Sequence, residues 1–420
     1  MQNLRVKNLY AAFASKNNSY ILKGILIGAL IGFVVGVFRL IIDNTLKGLF
    51  WVYPYLVKHP LMIIVYVIGT VIVWLALTRV VKPFAKKDEM SWWSGLWRTF
   101  VGALLAICPG LFAGREGPCI QMGSYIARGC SVNLFHDNEQ DLKVLVHSGM
   151  SAGLAAAFSA PIAGTLFILE AISFEFTPVI LITSMTTSIS SVVVTYFFFG
   201  IKPCLYLAYS GSLPLESYWL LLILGILMGF LAWVFQITNT QTKKLYELLP
   251  IPKRFNTILP LLFVIPIGLI YPKILGGSHD FISVLTSDQF MHSVLNDPKY
   301  TMIGVIIVFA LVRFVFTMIS CNATAPTGIF MPILVMGAVT GALYAALVIR
   351  FGLISDIYYL NIIICAMAAY FGAALKTPFT AVVLLVETVG SVKYVMPILI
   401  VTWIAYIVNS WLKGKSVFND

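Results

Sequence analysis

Arg115 and Glu116 stand side by side in a stretch that runs from Gly110 to Gly123, GLFAGREGPCIQMG, between two long apolar segments. Only 11% of the chain is charged. An ionisable pair in an apolar region is expensive, and by default it marks a functional position. Gly114, Gly117 and Pro118 fence the pair. Glycine lets backbone turn sharply, and proline is tolerated in the first turn of a helix, where its missing N–H would have no partner. The stretch therefore reads as a loop that opens a helix. A helix start presents free N–H groups and a partial positive charge, which together make an anion site.

The same arrangement recurs. Gly114 to Gly123 and Gly328 to Gly337 both read G-x-x-x-P-x-x-x-x-G, the second with Ile329, Phe330, Met331 and Pro332 inside. Further on, GLAAAFSAPIAGTLFILE (Gly153 to Glu170) has a partner in GAALKTPFTAVVLLVE (Gly372 to Glu387). In each, a proline precedes a glutamate by nine residues: Pro161 and Glu170, Pro378 and Glu387. The first glycine lies 47 residues before its proline in one half and 50 in the other. Interrupted apolar segments at matched places in two halves point to a transporter binding site. A lone G-x-x-x-P fits close packing of membrane helices equally well; its duplication favours the site.

The elements that must position these residues are membrane helices. The chain is 60% hydrophobic with mean hydropathy +0.93. Apolar stretches follow one another: Ile21 to Leu40, Leu61 to Leu77, Leu142 to Phe158, Ile180 to Phe199, Tyr218 to Ile237, Met302 to Ile319, Tyr358 to Leu375 and Val395 to Val408. Several reach the ~20 residues a spanning helix needs. The first twenty residues carry Arg5, Lys7 and Lys16 and no small-residue cleavage site, so the first span is expected to stay in the mature protein. Gln2 to Lys16 suits an interfacial amphipathic helix.

The net charge of +11 does not indicate nucleic acid, because the basic residues cluster in short loops. Arg79, Lys82, Lys86 and Lys87 form one group, Lys243, Lys244, Lys253 and Arg254 another, and Lys413 and Lys415 lie at the end. The positive-inside rule places these loops and both termini in the cytoplasm. Cys108, Cys119, Cys130, Cys204, Cys321 and Cys365 lack CxxC spacing and read as small core residues. The five histidines show no paired spacing, so no metal, cofactor or catalytic set is expected and an intramembrane enzyme is disfavoured. His136 to Asp141, HDNEQD, reads as a solvated loop, and the run Tyr196 to Phe199 as an interface belt.

The GREGP at Gly114 to Pro118, the GIFMP at Gly328 to Pro332, the segment ending at Glu170 and the pair Trp92-Trp93 together resemble the CLC chloride channel and transporter family, from about Ile21 to Phe418. The resemblance implies an all-helical polytopic fold of two inverted repeats with broken membrane helices, in a homodimer with one anion pathway per subunit. It places a cytoplasmic segment at 1–18, the repeats at 19–205 and 206–412, and a cytoplasmic tail at 413–420 of a multi-pass protein of the cell membrane, without the regulatory domains some members carry. It puts Glu116 on the gating glutamate and the backbone of Ile329 and Phe330 on the chloride. Arg115 either orients the loop or raises the positive potential at the outer mouth.

Three departures from the family pattern follow. The family's serine loop should lie between the basic loop and the Trp pair, but KPFAKKDEM runs directly into SWWSGLW; Ser94-Gly95-Leu96 lies past the pair and is a false match. The internal proton-transfer glutamate is replaced by Ala171, while Glu170 aligns with a structural glutamate. A tyrosine that gives its hydroxyl to chloride is replaced by Phe418. The expected function is chloride transport gated by Glu116, either passive or proton-coupled with weakened coupling. The alternative is a degenerate, non-conducting paralogue. A fluoride-selective relative is disfavoured because Pro118 matches the chloride-type signature.

Overall fold

The computed structural model describes residues 2–81, 91–174, 176–200, 213–297, 299–390 and 395–418, with side chains from Asn18 onward. The first half contains α1 (Gln2–Lys58), α2 (Leu61–Val80), α3 (Trp92–Ile107), α4 (Glu116–Cys130), α5 (Glu139–Phe158), α6 (Pro161–Phe167) and α7 (Pro178–Phe199). The second contains α8 (Tyr218–Leu248), α9 (Ile258–Ile270), α10 (His279–Leu285), α11 (Asp288–Leu295), α12 (Thr301–Cys321), α13 (Phe330–Arg350), α14 (Tyr359–Leu375), α15 (Pro378–Val389) and α16 (Val395–Trp411). Eight of the described helices are long and apolar enough to cross a membrane. The protein is an integral, multi-pass membrane protein.

The halves pack alike. α4 lies on α5 as α13 lies on α14, α1 on α7 as α8 on α16, and α5 on α6 and α7 as α14 on α15 and α16. Small residues let these backbones approach, since lipid tails give no hydrophobic drive between helices. Gly24, Gly28, Gly32 and Gly36 form a stripe on α1, and a Cβ at Gly28 or Gly32 would strike the carbonyl of Thr187 or Ser191 on α7. Ser190 Oγ donates to the Ile25 carbonyl (2.8 Å) across that contact. Gly225 and Gly229 play the same part between α8 and α16.

The halves are inverted, and two contacts between them fix this. Glu387, near the end of α15, reaches the start of α6, while Glu170, just past α6, reaches the start of α15, so the two helices run antiparallel. Gly114 and Gly328 pair in an antiparallel bridge. α13 and α14 form the centre and are mostly buried, whereas α2 is almost wholly exposed and faces lipid.

Several expectations change. The apolar stretches missed α13 and α9, both candidate spans. Prolines at 260 and 266 interrupt the run at α9, whereas Pro332 opens α13 and the apolar residues that follow it are unbroken. HDNEQD is more than a solvated loop: Asp137 pairs with Lys23 and accepts from Ser131 Oγ (2.9 Å), Asp141 accepts from Tyr20, and Asn138 caps α5. The run Tyr196 to Phe199 is mixed, with Phe197 exposed but Phe199 packed on Gly36. Gln2 to Lys16 continues α1 as helix. Lys82, Lys86, Lys87, the segment replacing the serine loop, Cys204 and the boundary at 205/206 fall outside the described residues.

Candidate functional site

The strand-like pairing of Gly114 with Gly328 brings two helix starts together. Gly114 N–H donates to the Gly328 carbonyl (2.6 Å), and Gly328 N–H donates back to Gly114 (2.7 Å). α4 and α13 each begin two residues later, behind Arg115 (φ −95°, ψ −9°) and Ile329 (φ −102°, ψ −8°). The repeat seen in sequence is thus repeated in backbone conformation. Neither start has a side-chain cap, and the first-turn amides of a helix have no partner inside it. Glycine is required by distance: a Cβ on Gly117 would lie 2.6 Å from the Thr327 carbonyl oxygen, and one on Gly328 2.7 Å from the Gly117 nitrogen. Pro118 and Pro332 occupy the third helical position, where no ladder bond is lost.

Glu116 is fully buried in this junction. Its carboxylate folds back over Gly114, where a Cβ would collide with it. The amides of Met331 and of Glu116 itself face it, but neither carboxylate oxygen has a well-aligned hydrogen bond among the described residues. An ionised carboxylate so placed forgoes the pairing that buried charges normally require.

Arg115 turns away and pairs with Asp43 on α1. Arg39, one turn earlier, holds the Ala156 carbonyl and Ser159 Oγ (3.1 Å). These side chains line a cavity of about 340 Å³ with Lys47, His279 and Asp280. Burial pushes the Asp280 carboxyl above the ordinary aspartate value, against the pull of Lys47. Asp43 was not foreseen, although a lone carboxylate within a long apolar helix is itself a signal. Arg313 was also missed. Fully buried in α12, it donates to the carbonyls of Ile274 (3.0 Å) and Gly276 (2.8 Å) and lies over the Phe112 ring, tying the α9–α10 connection to the loop that leads to Gly114.

On the other side of the junction Phe330 sits in an aromatic cluster. Its ring centroid is 5.0 Å from Phe167, 5.6 Å from Phe371, 5.7 Å from Phe418 and 6.3 Å from Phe158. Phe418 also meets Phe167 edge-on at 5.9 Å and remains half-exposed. The tail that carries it is pinned by Ser416 Oγ on the Leu375 carbonyl (2.9 Å).

The sequence profile described as "Voltage gated chloride channel" matches residues 76–410. The chain belongs to that family. It is 27% identical over 350 residues to the H(+)/Cl(-) exchange transporter ClcA of Salmonella arizonae, covering 79% of this chain and 69% of the relative. Among solved structures, a slow cyanobacterial Cl-/H+ antiporter superposes with TM-score 0.85 at 23% identity, covering 95% of this chain and 96% of the other. A CLC-type fluoride/proton antiporter superposes at 0.70 with 21% identity, covering 93% and 95%. These structures share the CLC fold.

Within that fold Ala171 lies in a widened turn of helix, Ile168–Ser173, packed against the apolar core. Glu170 is occupied elsewhere: it accepts from the amides of Phe379 (3.2 Å) and Thr380 (2.9 Å) and from Thr380 Oγ1 (2.7 Å) at the start of α15. Glu387 does the same for Ile162 (3.0 Å) and Ala163 (2.8 Å) at the start of α6. Each half thus supplies the helix cap of the other. Ser94-Gly95-Leu96 lies inside α3, with Gly95 against the Tyr125 ring, so it is no substitute for the serine loop.

Proposed function

We propose that this CLC-family chain carries chloride across the membrane through the junction of α4 and α13, with Glu116 as its gate. The observation behind this reading is the buried Glu116 carboxylate, without an aligned partner, at two uncapped helix starts. Each start contributes up to about half a positive charge. The anion's place is built from the first-turn amides behind Gly328, those of Ile329, Phe330 and Met331. Ionised, Glu116 occupies that place; protonated, it loses the attraction and yields to chloride. The cavity sets Arg39, Lys47 and Arg115 against Asp43 and Asp280, a small positive excess that favours anions at one mouth. Pro118 fits chloride rather than fluoride.

Passive conduction is favoured over exchange, because Ala171 cannot hold a proton where the inner transfer step would need one and Glu170 is engaged as a cap. Proton-coupled exchange with weakened coupling is the second reading, supported by the antiporter relatives. In this proposal two chains form a homodimer in the cell membrane, both termini face the cytoplasm, and the repeats run over 19–205 and 206–412.

The test records chloride and proton flux together from proteoliposomes, with and without Glu116→Gln. The expected result is chloride efflux without matched proton movement, accelerated and made insensitive to pH by the substitution. A fixed proton-to-chloride ratio that vanishes in the variant replaces the passive reading with exchange. No chloride efflux at any pH removes the transport claim and leaves a non-conducting paralogue.

A further inference from the structure

A second cavity, of about 600 Å³, lies between α1, α2 and α3. An engineered cavity of ~150 Å³ already holds a benzene molecule, so this one has room for several times that volume. Its walls include Leu49, Val65, Gly69, Val73, Leu104 and Pro109. Its hydroxyls have partners within the protein: Thr45 Oγ1 donates to the Ile41 carbonyl (2.7 Å), Thr70 Oγ1 to that of Tyr66 (2.9 Å), and the Tyr66 hydroxyl lies 3.4 Å from that of Tyr53. The lining is otherwise apolar and offers neither a headgroup nor a row of waters the partners it would need. The cavity is continuous with the lipid-facing side of α2, where Ile64, Val65, Ile68 and Ile72 are exposed. A Cβ at Gly69 would meet nothing within 4 Å, so the helix leaves a gap there.

Leu49 also lines the cavity that contains Arg115, so the two spaces share it as a wall residue. It packs at the place of Gly110, whose hypothetical Cβ would lie 3.3 Å from Leu49 Cδ1 and 3.2 Å from Leu275 Cδ1. Gly110 in turn accepts from Gly276 N–H (3.0 Å) and begins the loop to Gly114.

We propose that this groove binds one acyl chain of a phospholipid from the leaflet on the Arg115 side, and that the bound chain backs Leu49 as the wall between bilayer and vestibule. Hydrocarbon is the occupant because the bilayer supplies it at the groove's open side and the lining gives polar groups nothing.

The test reconstitutes the full chain in phosphatidylcholine vesicles containing a small share of a phosphatidylcholine with a photoreactive diazirine midway along one chain. Adducts are located by mass spectrometry after irradiation. Adducts on Leu104 to Pro109 are expected to exceed those on the openly exposed face of α12 at Val308, Leu311 and Val315. Gly69→Phe fills the gap and is expected to abolish the Leu104 to Pro109 adducts while leaving those on α12. Gly69→Leu serves the same purpose if the larger ring prevents folding. Labelling that merely follows exposure, or that persists in the filled variants, overturns the proposal. Leu49→Ala is expected to bring adducts onto Leu275 and His279; their absence overturns the wall.

Discussion

The two helix starts at the centre of the molecule use one backbone and two chemistries. Counted from the paired glycines, Arg115 corresponds to Ile329, Glu116 to Phe330, Gly117 to Met331 and Pro118 to Pro332. The dihedral angles ahead of the helices agree to within about 7°. One start is filled by a carboxylate with no aligned partner, the other by a ring in an aromatic cluster. Backbone amides can attract an anion at either start. The side chains then divide the labour: a charge that competes with the anion on one side, a hydrophobic wall on the other.

Breaking the paired glycines separates backbone from side chain and carries the largest expected effect. A Cβ on Gly328 would press on the Gly117 nitrogen (2.7 Å), which is backbone and cannot move without disturbing α4. A Cβ on Gly114 would chiefly meet the end of the Glu116 side chain, which can rotate away. Gly328→Ala is therefore expected to cost ~1–3 kcal/mol or more, as overpacking does, and to lower the unfolding temperature in detergent. Gly114→Ala should unfold nearly as the parent does but show altered chloride efflux, because it displaces the carboxylate. Equal destabilisation by the two would mean that the starts are mechanically equivalent after all.

The cross-repeat caps sharpen the same comparison. Glu170 accepts three hydrogen bonds and Glu387 two. Replacing either by Gln removes the charge and one acceptor oxygen, with an expected loss of ~1.5–3 kcal/mol for hydrogen bonds to a charged group. Glu170→Gln should cost more than Glu387→Gln in the same unfolding assay. The reverse order would show that the Thr380 hydroxyl contributes little.

The features legible in sequence were those set by local backbone chemistry. G-x-x-x-P announced both helix starts, and Pro161 and Pro378 each begin a helix. Glu170, aligned with a structural glutamate, and its repeat mate Glu387 both accept from helix-start donors. Their exchange between halves was not legible, because their partners lie more than 200 residues away. Asp43 and Arg313 escaped for a related reason: each gains its meaning from a loop brought up by the fold, Arg115 in one case and the carbonyls of Ile274 and Gly276 in the other. The start of α13 is legible in the G-x-x-x-P from Gly328, but its length as a candidate span is not set by that motif.

The smallest expected effect concerns the wall itself. Phe418 packs on Phe330 with the rings tilted by 44° and is itself half-exposed, so a hydroxyl added to that ring is not blocked by packing on every side. Phe418→Tyr changes no packed volume except at that edge. A neutral hydrogen bond is worth ~0.5–1.5 kcal/mol net, which corresponds to an increase of about two- to tenfold in anion affinity. Calorimetric titration with chloride reads this directly, and unfolding temperature should stay where it was. An unchanged affinity would place the ring outside the anion's reach and make the second start a structural copy of the first. A gain in affinity would show that the second half keeps the geometry for chloride and has given up only one donor.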